Sequence, residues 1–460
     1  MRLRFLDRKQ ELDRLRRALA SREASLAVVY GRRRCGKSRL LLETLRGRRA
    51  VYYVGDEREG ALQRRSLASA MGTLVPAFEQ VEYPGWEALL DRFWREAPAG
   101  TVLGLDEFPY LVSASPELPS LLQKRIDAVH SNHLHVVLCG SSQRMMQGLA
   151  LDSTAPLYGR AREILRIPPL PPGWVGHAFS FKDDLKLLEA YSVWGGVPRY
   201  WELANEFRDT PTAVSRLVLD PLGALHEEPD RLLLEDLWET AQASSVLSLI
   251  GEGCNKVSEI AGRLGKPATS LSRPLGRLVD LGLVEREIPF GAPERDSKRS
   301  RYVIADPFLS LWFRFASPRR SLIEARQSKA LGRELQKYLP IQVGEVWERL
   351  ARSSVPRIAI GGMRWRPAAR WWGAGLDRKP IEIDIAAESE DGTAILVGEA
   401  KLRLSPRDWA RETAALQEKA MRFPAAQGRR VVLAIWCAAG GKASPGISAI
   451  DAKRVLAALR

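Results

Sequence analysis

The segment Gly31–Ser38 constrains the fold of this chain more than any other, because its sequence, GRRRCGKS, matches the phosphate-binding loop G-x-x-x-x-G-K-[ST]. An apolar run, Ser25–Tyr30, precedes it, and a leucine-rich segment that favours a helix follows it. A strand, a glycine-rich turn and a helix in this order present backbone N–H groups and the positive end of a helix to a phosphate. The pattern therefore predicts a nucleotide-binding fold.

Further apolar runs follow at the spacing expected of strands that alternate with helices. They are Ala50–Val54, Thr101–Leu105 and Leu134–Cys139. Apolar runs without a polar alternation are typical of strands that are buried on both faces of a parallel sheet. The fold class is therefore predicted to be α/β, with a parallel sheet built around the phosphate-binding loop.

The residues expected to serve the nucleotide lie in this loop and at the ends of two later strands. Lys37 is expected to reach the β and γ phosphates, and the Ser38 hydroxyl to bind Mg²⁺. Asp106 would hold Mg²⁺ through water, and Glu107 would activate the attacking water. The full set of expected nucleotide contacts is Gly31, Arg34, Cys35, Gly36, Lys37, Ser38, Arg39, Asp106 and Ser141.

Simpler roles remain open for some of these side chains. Asp106 would also suit a cap of the next turn, with Glu107 in solvent. Ser141 follows a strand that ends near Cys139, and ordinary turn chemistry explains a serine there as well as contact with a γ-phosphate does.

An arginine that stabilises transition-state charge is expected near such a site. The candidates are Arg144, Arg160 and Arg199, and a surface role is the alternative for each. Arg160 is preferred because it precedes a predicted strand, Glu163–Ile167, and so lies at the edge of the sheet.

The chain resembles the archaeal-type ATPases of the P-loop class, which are related to AAA+ and STAND proteins. The segments that carry the resemblance are Phe5–Leu12, Val29–Arg34, Leu105–Phe108, Gly140–Ser142 and Gly195–Tyr200. The resemblance covers nearly the whole chain. It implies ATP as the usual ligand, a helical lid after the sheet, and a winged helix behind the lid.

Charge and cysteine usage limit the function classes. The 460 residues contain 70 Lys and Arg against 55 Asp and Glu, a net charge of +15, which favours DNA as a partner through phosphate neutralisation. An evenly solvated surface in a basic proteome is the alternative.

The four cysteines form no C-x-x-C pair, which argues against a disulfide framework or a cysteine zinc site. The expected location is the cytoplasm, without membrane contact, and self-association into a homo-oligomer remains open.

A winged helix-turn-helix is predicted after the lid. Its helices are expected at Lys256–Ala261 and Thr269–Leu281, and its strands at Gly282–Ile288 and Arg301–Ile304. Pro274 counts against a straight start of the second helix. The residues expected to contact DNA phosphates are Arg273, Arg277, Arg299 and Arg301, with Lys298 beside them in the wing. The alternative is a winged helix that only packs against the lid or a partner.

Two predicted strands near the C-terminus carry charged residues suited to metal-assisted phosphodiester hydrolysis. Asp384 lies in Ile381–Ile385, while Glu399 and Lys401 share one face of Ala394–Leu402. In a hairpin these two carboxylates would bind a divalent cation beside an ammonium. The helix Ile341–Ala351 precedes these strands, and its residues Glu345 and Glu348 are candidate further ligands.

This segment resembles the PD-(D/E)xK nuclease superfamily in its α-β-β-β-α-β order and in its D...E-x-K signature. The resemblance implies that Asp384 and Glu399 bind Mg²⁺ or Mn²⁺ and that Lys401 orients the water or neutralises charge. A proline directly before the first aspartate is absent. The alternative is a degenerate nuclease fold kept for DNA binding or oligomerisation, with Glu399 and Lys401 as a surface pair.

These patterns predict four domains and one leading function. The domains are a P-loop ATPase core at 1–170, a helical lid at 171–240, a winged helix-turn-helix at 241–316 and a restriction-endonuclease-like α/β domain at 328–460. The leading hypothesis is a DNA-directed ATPase with a C-terminal metal-dependent nuclease. The rival is a nucleotide-dependent switch that binds DNA or protein and cuts nothing. The histidines His130, His133 and His135 are predicted to lie at the surface, because their spacing suits no metal site.

Overall fold

The fold was analysed in a computed structural model that describes residues 3–128, 133–236, 240–295, 299–441 and 445–460. The chain divides into two compact units, Arg4–Pro169 and Leu170–Arg460, the second of which also includes Leu3. The boundaries predicted within the second unit stay predictions. Among the described residues, no helix is both long and apolar enough to cross a membrane.

The first unit is built on a five-stranded parallel sheet with the strand order β2-β3-β4-β1-β5. The strands are β1 (Ser25–Tyr30), β2 (Ala50–Val54), β3 (Val102–Asp106), β4 (His135–Gly140) and β5 (Ala161–Arg166). Every residue of β1, β3 and β4 is buried, as their unbroken apolar sequences predict. The α/β class with a parallel sheet is confirmed.

Helices connect these strands and cover the sheet. They are α1 (Lys9–Ala18), α2 (Lys37–Leu45), α3 (Gly60–Gly72), α4 (Trp86–Glu96), α5 (Phe108–Ala114), α6 (Leu118–Asp127) and α7 (Gln143–Ala150). The core packs apolar strand residues against aromatic helix residues such as Trp86, Phe93 and Phe108. Because all the strands are parallel, the carboxyl ends of β1, β3 and β4 meet at one edge of the sheet.

The second unit begins with helices. They are α8 (Asp184–Trp194), α9 (Pro198–Ala204), α10 (Thr210–Leu217), α11 (Glu228–Asp236), α12 (Thr240–Gly251), α13 (Val257–Leu264) and α14 (Ser272–Asp280). A 3₁₀ turn, Ala268–Leu271, precedes α14. The second helix of the predicted helix-turn-helix is therefore α14, which begins at Ser272 and not at Thr269. Pro274 falls in the first turn of α14, where a missing N–H costs no intrahelical hydrogen bond.

A short antiparallel hairpin follows α14. Its strands are β6 (Val284–Glu287) and β7 (Arg301–Ile304), in the register Val284 to Ile304. The predicted wing residue Lys298 lies outside the described residues. The hairpin is followed by α15 (Pro307–Leu311), a π-helical turn at Trp312–Ala316, and α16 (Arg320–Glu324).

The C-terminal part is a five-stranded mixed sheet with the strand order β12-β11-β10-β9-β8. Its elements are α17 (Ser328–Ser354), β8 (Ala369–Ala374), β9 (Pro380–Glu388), β10 (Ala394–Lys401), α18 (Pro406–Arg422), β11 (Arg430–Cys437), β12 (Ile447–Ile450) and α19 (Ala452–Ala458). Strands β8, β9 and β10 are antiparallel, while β10, β11 and β12 are parallel. One apolar core joins the sheet to α17 and α19, and another joins it to α18. The sheet therefore lies between two helical layers.

Candidate functional site

The backbone of the phosphate-binding loop is held in conformations that bring N–H groups inward. Gly31 has φ +150°, and a Cβ there would overlap the backbone oxygen of Ile167. Arg34 (φ 64°) and Gly36 (φ 90°) are left-handed, and α2 begins directly after Gly36. Such a loop at a helix N-terminus forms a concave cradle for phosphate oxygens.

The side chains of the loop are arranged around this cradle. Lys37 is 4% exposed, and its ammonium donates a hydrogen bond to the carbonyl oxygen of Arg32 at 3.0 Å. Cys35 is buried, whereas Ser38 is exposed at the start of α2. Arg39 lies with its guanidinium 6.0 Å from the ring centroid of Phe5. The loop holds Lys37 in place and leaves the Ser38 hydroxyl accessible.

Asp106 is fixed at the end of β3 by two hydrogen bonds. Tyr52 on the neighbouring strand β2 donates its hydroxyl to Oδ2 at 2.8 Å, and the Glu107 backbone N–H donates to Oδ1 at 3.0 Å. Asp106 is 1% exposed, and burial together with this carboxylate raises the pKa of Tyr52. The hydroxyl of Tyr52 therefore stays protonated and acts as a donor.

Glu107 and Ser141 face each other across the ends of β3 and β4. Oε2 of Glu107 accepts hydrogen bonds from the Ser141 backbone N–H at 3.1 Å and from its hydroxyl at 2.9 Å. Glu107 itself has φ 47° and ψ 44°, the left-handed conformation. The structure thus brings Ser141, expected to contact the nucleotide, to the carboxylate that was expected to activate water.

Arg160, predicted as an arginine finger, forms an ion pair with Asp127 in this structure. Nε of Arg160 lies 2.8 Å from both carboxylate oxygens of Asp127, and Nη2 lies 2.8 Å from Oδ2. Asp127 ends α6, a position the sequence pattern did not connect with Arg160. The pair is partly exposed, and the role of Arg160 as an arginine finger stays a prediction.

The surface prediction for the histidines is wrong for His135. This residue is 2% exposed on β4, and its Nδ1 lies 2.8 Å from the Ser25 hydroxyl on β1. Burial lowers the pKa of His135 and favours the neutral ring. His133 is half-buried, and His130 lies outside the described residues.

In the second unit, Asp384 and Glu399 lie together in the C-terminal sheet. Asp384 is 9% exposed and Glu399 is 3% exposed, on the neighbouring strands β9 and β10. The Ala400 backbone N–H donates to Oδ2 of Asp384 at 3.1 Å. Burial and then the charge of Asp384 raise the pKa of Glu399 to about 7. The two carboxylates are therefore close enough to repel each other.

Two ammonium groups hold the Glu399 carboxylate. Lys401 lies with Nζ 3.3 Å from Oε2, and Lys419 on α18 lies with Nζ 2.6 Å from Oε1. Lys401 also approaches Glu412 of α18 at 3.7 Å. The predicted grouping of Asp384, Glu399 and Lys401 thus occurs in the structure, together with a lysine that the sequence pattern did not indicate.

Glu348 on α17, a candidate further metal ligand, interacts electrostatically with Asp384 of this cluster. Burial and then the charge of Asp384 raise the pKa of Glu348 to about 7, while Arg370 at 4.0 Å opposes the shift. Glu345 points elsewhere and forms an ion pair with Arg314. Glu348 and Arg370 also line a cavity of about 290 Å³ between the hairpin and α17.

The donor set fits a hard cation through two carboxylates. The described part of the chain holds no group of three or more His, Cys, Asp or Glu residues arranged for a metal ion. Mg²⁺ commonly binds proteins through one or two carboxylates and keeps several waters. Asp384 and Glu399 supply two carboxylates, which lies within the number that Mg²⁺ uses in proteins.

The arginines predicted to contact DNA from the wing bind the C-terminal sheet instead. Arg299 donates Nη2 to the backbone oxygen of Trp372 at 2.6 Å. Arg301 lies 4.5 Å above the Trp372 ring and 3.4 Å from Glu382. Arg299 and Arg301 thus have partners on β8 and β9, and their contact with DNA stays a prediction. On α14, Arg273 is exposed and Arg277 is half-buried.

The hairpin is also tied to the strand that carries Asp384. Arg352 of α17 donates to the backbone oxygen of Asp384 at 3.2 Å and to the Glu287 carboxylate at 3.1 Å. Both members of the Arg352–Glu287 pair are about a tenth exposed. The hairpin, α17 and β9 therefore form one connected network.

The phosphate-binding loop and the residues around it are similar to those of known proteins. Residues 5–202 match a family described as an ATPase domain predominantly from Archaea. This segment is similar to that ATPase family. Residues 312–413 match a family described as archaeal and bacterial proteins of unknown function.

Relatives extend the likeness beyond the ATPase domain. The uncharacterized protein MJECL04 of Methanocaldococcus jannaschii is 29% identical over 414 residues, which span 88% of this chain and 89% of that protein. The Walker-type ATPase PABY2304 of Pyrococcus abyssi matches with 20% identity and a TM-score of 0.52, over 67% of this chain and 96% of that one. The ORC2 protein of Aeropyrum pernix matches with 16% identity and a TM-score of 0.49, over 70% and 96%. The likeness to PABY2304 shows the fold alone.

The sequence pattern did not indicate two residues of these sites, Tyr52 and Lys419, because they reach their partners only through the packing of strands and helices. Tyr52 reaches Asp106 because β2 pairs with β3. Lys419 reaches Glu399 because α18 covers that face of β10. A basic residue on the helix after an E-x-K strand is the signal that would have suggested Lys419.

Proposed function

We propose that this chain is an ATP-hydrolysing, DNA-directed protein whose C-terminal domain is a metal-dependent nuclease. The hydrolytic part uses Lys37 and Ser38 to bind ATP with Mg²⁺, Asp106 to hold the ion through water, and Glu107 to activate the attacking water. Arg34, Cys35, Gly36 and Arg39 complete the loop that surrounds the phosphates.

The observation that carries the nuclease proposal is the meeting of Asp384, Glu399 and Lys401 in one cluster, in which both carboxylates are buried. Two repelling carboxylates on paired strands, with an ammonium 3.3 Å from one of them, supply the charges that phosphodiester hydrolysis needs. The element order from α17 to β12, one helix, three strands, a second helix and then parallel strands, agrees with the proposal.

Each residue of the cluster has a separate task in this proposal. A bound Mg²⁺ or Mn²⁺ would polarise the phosphate and lower the pKa of water. Asp384 and Glu399 hold the cation, and the Ala400 N–H fixes the orientation of Asp384. Lys401 orients the attacking water and neutralises charge on the phosphate. Glu348, whose pKa is raised to about 7, accepts a proton beside them.

DNA contact is assigned to α14 in a winged helix formed by α12, α13, α14 and the hairpin. Arg273 and Arg277 on α14 face phosphates, and the net charge of +15 favours their approach. The wing arginines instead fasten the hairpin to β8 and β9. DNA bound at α14 would therefore be linked mechanically to the strand that carries Asp384.

The test is incubation of the purified chain with supercoiled, linear and branched DNA, with and without Mg²⁺, Mn²⁺ and ATP. Metal-dependent cutting that EDTA stops supports the nuclease. If no DNA form is cut under any of these conditions while ATP is hydrolysed, the nuclease proposal fails.

A second candidate function, a nucleotide-dependent regulator that cuts nothing, is favoured by one observation. Both carboxylate oxygens of Glu399 are paired with lysines, so the cluster is charge-compensated without a metal ion. In that case ATP would change the DNA affinity of the chain, and the C-terminal sheet would serve only as a platform for the hairpin.

A further inference from the structure

We propose that Lys419 competes with the divalent cation for Glu399, so that metal binding requires this lysine to move away. The inference rests on the proposed metal site. It assigns Lys419 a role in setting how readily the site is loaded, which neither the E-x-K pattern nor the family matches indicate.

The geometry singles out Lys419 rather than Lys401. Nζ of Lys419 lies 2.6 Å from Oε1 of Glu399, the shorter of the two lysine contacts. Lys401 divides its charge between Glu399 and Glu412. Lys401 is held by the strand that bears Glu399, whereas Lys419 reaches the carboxylate from a separate element, α18.

Charge balance explains why a lysine occupies this position. Asp384 and Glu399 place two carboxylates in a site where each is less than a tenth exposed. Buried carboxylates are costly unless they are paired, and Lys401 with Lys419 supplies two matching positive charges. The metal-free chain is thereby stabilised by Lys419.

The same contact opposes a cation. A metal ion bound to Glu399 needs an oxygen of that carboxylate, and Oε1 is the one nearest the Lys419 ammonium. Two positive charges around one poorly solvated carboxylate repel each other strongly, because few waters screen them. Displacement of Lys419 toward solvent relieves this repulsion, and its side chain, 32% exposed, has access to water.

The experiment measures binding of Mn²⁺ alone to the full chain by calorimetry, with no nucleotide added. Lys419→Met and Lys419→Gln remove the competing charge, and each is expected to raise the Mn²⁺ affinity at least about tenfold. Lys379→Met, at an exposed position before β9, removes the same charge and is expected to leave the affinity unchanged. Asp384→Asn in the Lys419→Met chain should abolish the binding heat and so identify the site.

The outcomes separate this inference from the nuclease proposal. A merely structural role for Lys419 would weaken the site, so unchanged or weaker Mn²⁺ binding in both folded variants overturns the competition while leaving the metal site intact. Tighter binding in both variants supports it, including the case in which the unaltered chain binds too weakly to measure. If no variant binds Mn²⁺, both the competition and the metal site are overturned.

Discussion

Ser141 donates two hydrogen bonds, from its backbone N–H and its hydroxyl, to the same carboxylate oxygen of Glu107. The two residues directly follow the neighbouring strands β3 and β4, and Glu107 adopts a left-handed backbone conformation. A carboxylate held by two donors has its direction fixed before substrate arrives. The pairing therefore makes Ser141 a positioning residue for the proposed base.

Replacing Glu107 with Gln should leave ATP binding intact and slow hydrolysis by about 10²- to 10⁴-fold, the usual contribution of a general base. The amide keeps the size of the side chain, and Asp106 remains in place for Mg²⁺. Single-turnover ATP hydrolysis and nucleotide affinity measure the two effects separately. Normal turnover in this variant would remove Glu107 from the mechanism.

Replacing Ser141 with Ala should lower kcat about tenfold with little change in KM, because a hydrogen bond to a charged group contributes about 1.5–3 kcal/mol. The hydrogen bond from the backbone N–H of residue 141, at 3.1 Å, remains, so the Glu107 carboxylate keeps one of its two donors. Ser141→Thr retains a hydroxyl and is the rescue variant. Steady-state kinetics that show a raised KM and an unchanged kcat would indicate direct nucleotide contact instead.

Gly31→Ala should disrupt the phosphate-binding loop, since a Cβ at φ +150° would overlap the backbone oxygen of Ile167. Shifting the loop away from β5 would misplace the N–H groups of the cradle, so ATP affinity and thermal stability should both fall. Gly148→Ala is the matched control: it lies in α7 with open space around it and should be neutral or stabilising by up to about 1 kcal/mol. Equal behaviour of the two variants would contradict this account.

The sequence was sufficient where local pattern decides the structure. The loop after β1 and the carboxylates at the end of β3 lie where the motif and the apolar runs predict them. The strands β9 and β10 likewise lie where the segments Ile381–Ile385 and Ala394–Leu402 were predicted as strands. In each case the information is contained in contiguous residues.

Contacts between distant segments could not be predicted in this way. Arg160 pairs with Asp127, and the sequence contains many other carboxylates that would have served equally well. Arg301 meets Trp372 and Glu382 only because the hairpin packs on the C-terminal sheet. A basic hairpin has the same sequence pattern whether DNA or protein supplies its partners, so these contacts could not be predicted from the sequence.

The raised pKa of Glu348 should make the metal-free chain less stable as the pH rises. Burial and Asp384 raise this pKa from 4.5 to about 7, so between these values the folded state binds a proton that the unfolded state lacks. The stabilisation is therefore present below pH 4.5 and is lost as the pH passes 7, with a size on the order of 1–3 kcal/mol.

Urea unfolding in EDTA across this range measures the effect. Glu348→Gln should show a smaller decline than the unaltered chain, with Glu399 contributing the remainder because its pKa is also raised to about 7. Glu390→Gln, at an exposed position, controls for the loss of a charge. Parallel curves for Glu348→Gln and the unaltered chain would refute the shift.

Asp384→Asn should eliminate metal-dependent DNA cutting while ATP hydrolysis and DNA binding stay close to normal. Asp384 lies in the C-terminal sheet, whereas Lys37 begins α2 and Glu107 follows β3 in the other unit, so the residues proposed for the two reactions are separate. The amide keeps the side-chain shape and can still accept the Ala400 N–H through its oxygen, which preserves the fold. Loss of one negative charge leaves Glu399 to hold the divalent ion against the ammonium groups of Lys401 and Lys419, so the affinity of the site for the cation should fall. Plasmid nicking, ATP turnover and DNA affinity, measured on the same preparation, check the separation. A variant that cuts DNA at the normal rate would place the chemistry outside this cluster, and one that loses ATP turnover as well would show that the two sites are coupled.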